Sequence, residues 1–146
     1  MKIKALAFSL LITLGFLTGC HQSSIKVKDI FCENLKNPMG INEAAPRLSW
    51  IMESKKRSQV QTAFQVLVAS NIENLRNNVG DMWDSKKIES DRSILIGYTG
   101  NELKSATEYF WKVKVWNQDG EESPWSNTGT WQMGLLKPED WANAKW

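Results

Sequence analysis

Between residues 26 and 136, apolar side chains recur at every second position in short runs separated by turn residues, which is the period of half-buried strands. Lys26 to Phe31 alternates weakly through Val27 and Phe31, and Asn37-Pro38-Met39-Gly40 then supplies a turn. Pro46 to Met52 places Leu48, Trp50 and Met52 on one face, with the proline at the strand start where no ladder donor is needed. Thr62 to Ser70 sets Phe64, Val66 and Val68 against Ala63, Gln65 and Leu67, and its β-branched and aromatic content predicts a central strand. Asn71 to Val79 is polar around Leu75 and reads as a loop with room for one helical turn. Met82 to Ser85 and Ile94 to Tyr98 predict two short strands, joined by the charged connection Lys86 to Arg92. Thr107 to Asn117 is the clearest alternation: Tyr109, Trp111, Val113 and Val115 face one way, Phe110, Lys112, Lys114 and Trp116 the other. Asp119-Gly120 turns the chain, and Thr128 to Leu135 gives Trp131 and Met133 a common face. About seven strands at this spacing predict an all-β sandwich of two sheets, with no helix of amphipathic length.

Ahead of this pattern, Lys2 and Lys4 precede the apolar run Ala5 to Phe16, which is too short to span a bilayer. It reads as a signal peptide over residues 1–19. Leu17-Thr18-Gly19-Cys20 resembles the bacterial lipobox, so Cys20 is expected to be acylated and to become the first mature residue. An ordinary secretory signal with an incidental cysteine is the alternative. The lipobox implies an exported lipoprotein held at the membrane through lipid on Cys20, with residues 20–25 as a tether.

Composition narrows the chemistry. Of 146 residues, 18 are Lys or Arg and 16 Asp or Glu, so a net charge of +2 gives no field that calls for nucleic acid. His21 is the single histidine and lies on the tether, so the folded body has none for acid–base or metal chemistry. With Cys20 acylated, Cys32 has no partner in the chain and is expected to be a small buried hydrophobe. Eight Trp against five Phe and two Tyr invert the usual aromatic order, so indole rings must fill a core or face a ligand.

Leu103-Lys-Ser-Ala-Thr107-Glu-Tyr109-Phe-Trp111 resembles the tyrosine-corner segment of fibronectin type III and immunoglobulin-like domains. The Tyr109 hydroxyl is expected to bond to backbone near Leu103. Further blocks follow in order: Cys32-Glu33-Asn34, Asn37 to Ile41, Pro46 to Trp50, Gln61 to Val68, Trp83-Asp84-Ser85, Trp111 to Trp116 and Met133 to Leu136. Together they resemble the N-terminal fibronectin type III-like domain of bacterial α-L-rhamnosidases of glycoside hydrolase family seventy-eight, over Val27 to Trp146. The resemblance implies a noncatalytic accessory domain over residues 26–136. It also implies that residues 137–146 link to further β-domains and an (α/α)₆ barrel that cleaves terminal α-linked L-rhamnose with inversion. These domains lie outside this sequence, so the chain reads as a truncated form.

Inverting glycosidases hold two carboxyls roughly 6.5–9.5 Å apart, one with a raised pKa. Glu121-Glu122, Glu139-Asp140, Asp81 with Asp84 and Glu89 with Asp91 all sit in turns or linkers and read as solvated charge. Asp81 and Asp84 also lack the further oxygens a calcium site requires. No catalytic residue, metal site or cofactor is assigned. Trp50 and Trp111, with Leu103 and Tyr109, are assigned structural roles, and Trp131 joins them in the core. Trp116 and Trp125 are the candidate ligand-binding residues. Against that, Trp125 in Ser123-Pro124-Trp125-Ser126 can cover the stems of Lys112 and Lys114 as a cation–π stack, as similar motifs do in cytokine-receptor sandwiches. Trp83, Trp141 and Trp146 are expected to fill an interface with neighbouring domains. The alternative to the accessory-domain reading is a free-standing lipid-anchored module that binds carbohydrate or protein through the sandwich surface.

Overall fold

A computed structural model describes residues 24–141. The signal peptide, Cys20, most of the tether and Trp146 lie outside the described residues. Eight strands form two antiparallel sheets. Strands β1 (Ile25–Cys32), β2 (Arg47–Ser54) and β6 (Ile96–Gly97) make the smaller, in the order β1-β2-β6. The larger runs β4 (Trp83–Asp84), β3 (Gln61–Ala69), β7 (Glu108–Asn117), β8 (Gly129–Gln132), with β5 (Ile88–Glu89) also paired to β3. The all-β sandwich expected from the alternation is therefore the observed architecture. Among the described residues no helix is long and apolar enough to cross a membrane.

The inner faces meet in one core. Leu48 and Trp50 of β2, Phe64, Val66 and Val68 of β3, Tyr109, Trp111, Val113 and Val115 of β7, and Trp131 of β8 are all buried there. Gly129 lets the sheets approach closely, since a Cβ on it would come within 2.7 Å of both Ile30 and Trp111.

Three local readings change. The weak alternation of the first strand has a cause: the register shifts between Val27 and Asp29, so inward positions pass from Ile25 and Val27 to Ile30 and Cys32, and Phe31 turns outward. Ile25, assigned to the tether, is buried and opens β1 opposite Ser54, because an apolar side chain there reaches the core edge. The loop over 71–79 contains α1 (Ile72–Arg76), capped by the Asn71 side chain, which accepts from the Asn74 amide. Its Leu75 packs onto the outer face of the large sheet with Leu67 and Ala69.

The charged connection 86–92 is tied down by a buried polar hub. Trp50 Nε1 donates to Gln61 Oε1 at 2.8 Å, and the Gln61 amide donates to the Ser90 and Arg92 carbonyls at 3.0 and 2.8 Å. Gln61 is only 2% exposed and Trp50 2%, so the buried indole N–H depends on it for satisfaction. Gln61→Ala is expected to destabilise the domain by about 2–3 kcal/mol in urea unfolding, because it strands a buried indole N–H and releases the 86–92 connection. A loss below about 1 kcal/mol would contradict that role.

Cys32 is buried, and desolvation, with the adjacent Glu33 charge, pushes its thiol up to about 12. The folded state thus keeps this proton where the unfolded chain loses it, and stability falls as pH rises above the ordinary value of 9.0 toward about 12. Cys32 is expected to resist iodoacetamide at about pH 8 until the chain is denatured, as read by mass spectrometry.

Candidate functional site

The outer face of β7 carries the two tryptophans with the best claim to a ligand, and it is built from a defect in the sheet. β8 pairs β7 only from Glu108 to Trp111. Beyond that point the neighbour is Ser123-Pro124-Trp125-Ser126, in which Pro124 has no amide to donate. The serines complete the bonding. Ser123 and Ser126 amides donate to the Val115 and Val113 carbonyls, each at 2.8 Å. The Val115 and Val113 amides in turn donate to the Ser123 and Ser126 hydroxyls at 3.0 and 3.1 Å.

This pinning lays Trp125 across the outward side chains of β7. Lys112 Nζ and Lys114 Nζ each stand 5.0 Å from the Trp125 ring centre. Lys114 is also 5.0 Å from Trp116, and Lys87 lies 5.1 Å from the same ring. The result is a ladder, Lys112, Trp125, Lys114, Trp116, Lys87, in which ammoniums and rings alternate. At its inner end Lys112 is 7% exposed and donates to the Leu75 carbonyl and Asn78 Oδ1, both at 2.6 Å. It thereby satisfies the C-terminal end of α1. Burial pushes the Lys112 ammonium below its ordinary value. At the middle of the ladder Lys114 pairs with Glu122 at 3.1 Å.

At least one face of each candidate ring is thus taken by lysine, and both rings are half-buried. The arrangement holds α1 and the Ser123–Ser126 segment against the sheet. Any sugar stacking on Trp125 or Trp116 would compete with those ammoniums for ring surface.

At least one carboxylate of each pair is engaged locally. For Asp81 burial pushes upward, but bonds from the Ser70 hydroxyl and amide outweigh it and hold the carboxyl below the ordinary range. For Asp84 burial is likewise outweighed, here by Lys86 and Gln65, whose side chains donate at 2.6 and 2.7 Å. Asp140 is held low by the Ser105 hydroxyl and the Lys137 amide. Glu121 accepts from Asn117 at 2.9 Å, and Glu89 pairs with Lys87 at 2.9 Å. Among the described residues no group of three or more His, Cys, Asp or Glu could hold a metal ion.

Tyr109 Oη accepts from the Lys104 amide at 2.9 Å, adjacent to the buried Leu103. Trp50, Trp111 and Trp131 are at most 2% exposed. Trp83 differs from its interface assignment: pairing of β4 with β3 turns its ring onto the core, edge-on to Tyr98 at 5.4 Å. Trp141 is 48% exposed in a 3₁₀ turn, Pro138–Trp141. Tyr98, unassigned from sequence, is a second anchor whose hydroxyl lies 2.7 Å from the Asn101 carbonyl and 3.1 Å from that of Met82. Lys87, read as part of a connection, supplies the last rung.

A family model described as the Rha78A-like N-terminal immunoglobulin domain matches residues 27–137. An alpha-L-rhamnosidase of Formosa agariphila is 39% identical over all of this chain, which covers 16% of that protein. One from Streptomyces avermitilis is 43% identical over 85% of this chain and 12% of its own length. The solved structure of an alpha-L-rhamnosidase from Dictyoglumus thermophilum superimposes with a TM-score of 0.79 at 39% identity, covering 82% of this chain and 13% of that one. The chain therefore spans about a sixth or less of each of these relatives.

Trp125→Ala is expected to cost about 2 kcal/mol of unfolding free energy, since it removes a half-buried ring and two cation–π contacts. Trp116→Ala, without the contact to α1, is expected to cost about half as much. Equal and negligible effects in thermal unfolding would remove the ladder's structural role.

Proposed function

The chain belongs to the Rha78A-like N-terminal immunoglobulin domain family, and on that premise we propose that it is the noncatalytic N-terminal accessory domain of an exported α-L-rhamnosidase acting on terminal α-L-rhamnosides. The observation that carries this reading is the match of residues 27–137 to one end-domain of proteins many times longer. Further β-domains and an (α/α)₆ barrel are the proposed partners in the same polypeptide. Packing and positioning are the proposed contribution of this domain, and the engaged carboxylates support that division of labour. A general acid needs a raised pKa, whereas Asp81, Asp84 and Asp140 are all held low.

Export and anchoring complete the proposal. Acyl chains on Cys20 would hold the domain at the membrane, and several chains on one terminus make such an anchor stable.

Two assays test the reading. The 146-residue chain is expected to release no rhamnose from an aryl α-L-rhamnoside at enzyme-like concentrations. Release by this chain alone, abolished by no substitution outside residues 24–141, would overturn the noncatalytic role. Cells expressing the chain and fed radiolabelled palmitate are expected to label it, and Cys20→Ser is expected to remove the label. Label that survives this substitution would contradict the anchor.

A further inference from the structure

One turn of the sandwich gathers three adjacent cations. The turn between β2 and β3 carries Lys55, Lys56 and Arg57 in succession, all exposed and without an ion pair among the described residues. Beside them, Lys26 and Lys28 share the single carboxylate of Glu53, at 2.7 and 3.8 Å. The nearby Glu121 is occupied by Asn117 and the Ser24 amide. Both ends also carry acids: Asp119, Glu121 and Glu122 lie in the turn after β7, tied to this end through Gln118, which bonds Val60 and Ser58, while Glu102, Glu139 and Asp140 lie with Lys137 at the other. A whole-chain charge of +2 does not by itself put three adjacent cations at one end.

The same end is where the chain enters from its N-terminal side. Ser24 is fixed there: its carbonyl accepts from Ser54 Oγ and its hydroxyl donates to Gln59 Oε1, both at 2.6 Å. A groove of about 560 Å³ opens at this point between Lys26, Lys55, Lys56 and Pro124. Cys20 is four residues before Ser24, so even a fully extended segment places an acyl anchor within about 14 Å of Ser24. That is close to the screening length of about 10 Å at 0.1 M salt, within which exposed cations act on a charged surface.

We propose that the rim formed by Lys55, Lys56 and Arg57 lies against an anionic phospholipid bilayer and orients the sandwich on it. The proposal rests on the anchor reading of Cys20. Charge complementarity selects the surface: unpaired ammonium and guanidinium groups find phosphate oxygens in an anionic headgroup layer, and the short tether holds them there. The ladder face and the exit end at Trp141 are then left facing away from or along the membrane, open to whatever follows the chain.

The test uses the mature full chain reconstituted in vesicles of phosphatidylcholine, with or without about one third phosphatidylglycerol. Lysine acetylation rates are read by mass spectrometry, with Lys104 and Lys137 at the far end as internal references. Lys55 and Lys56 are expected to react at least about threefold more slowly on the anionic vesicles, with the contrast lost in about 0.5 M salt. Arg57→Glu, which keeps both reporters, is expected to shrink the contrast. Equal rates on the two vesicles would overturn the proposal. So would protection that is independent of lipid charge and salt, which would point to a protein partner. The mass of the N-terminal peptide reports separately whether Cys20 is acylated. If it is not, the anchor reading fails, and the same rate comparison on chain added from solution still decides whether the rim meets an anionic bilayer.

Discussion

Val66, Val113 and Val115 sit mid-strand in the larger sheet, each beside a neighbouring segment that does not supply an ordinary ladder carbonyl. At all three places a serine takes over both halves of the exchange. Ser85, Ser126 and Ser123 donate their amides to the valine carbonyls at 3.1, 2.8 and 2.8 Å. Their hydroxyls accept the valine amides at 2.9, 3.1 and 3.0 Å and pass their own protons to the carbonyl of the next residue, each at 2.8 Å. Buried amides without partners cost free energy comparable to a lost hydrogen bond, so these three serines are what lets irregular chain lie along β3 and β7.

The rest of the architecture follows from that closure. With β3 and β7 satisfied on both edges, their inward side chains form a continuous core with Trp50, Trp111 and Trp131. Their outward side chains become the floor for α1 and Trp125. Lys112 joins the two layers, since its stem passes beneath Trp125 and its ammonium satisfies the end of α1. The abundance of tryptophan is thereby accounted for mainly by packing: core rings, one ring edge-on to Tyr98, and a ladder stabilised by lysine.

The strands with strict alternation were legible in the sequence because period-two patterning reports directly on a half-buried sheet. Thr107 to Asn117 and Thr62 to Ser70 show it best. Features that depend on one residue's backbone were not. The bulge after Val27 flips the inward parity without any glycine to mark it. The tight turn after β1 places Glu33 and Asn34 at φ of 48° and 63°, a conformation usually signalled by Asn-Gly. Glu33 tolerates it because its carboxylate receives the Arg47 side chain at 2.6 Å and the Arg47 amide at 2.6 Å, contacts that only the fold creates. The Trp125 stack was readable, since Ser-Pro-Trp-Ser beside an alternating Lys-x-Lys strand offers rings to cations. Lys87 was not, because pairing of β5 with β3 is what brings it over Trp116.

A domain closed in this way can act as the rigid accessory unit proposed for it. That account depends on the serine clamps holding β7. Amide hydrogen exchange of Val113 and Val115 measures it most directly. The account expects both amides to exchange only through global unfolding, and to lose that protection in Ser123→Ala and Ser126→Ala respectively. Fast exchange of either amide in the unaltered chain, on the scale of exposed loop residues, would contradict it.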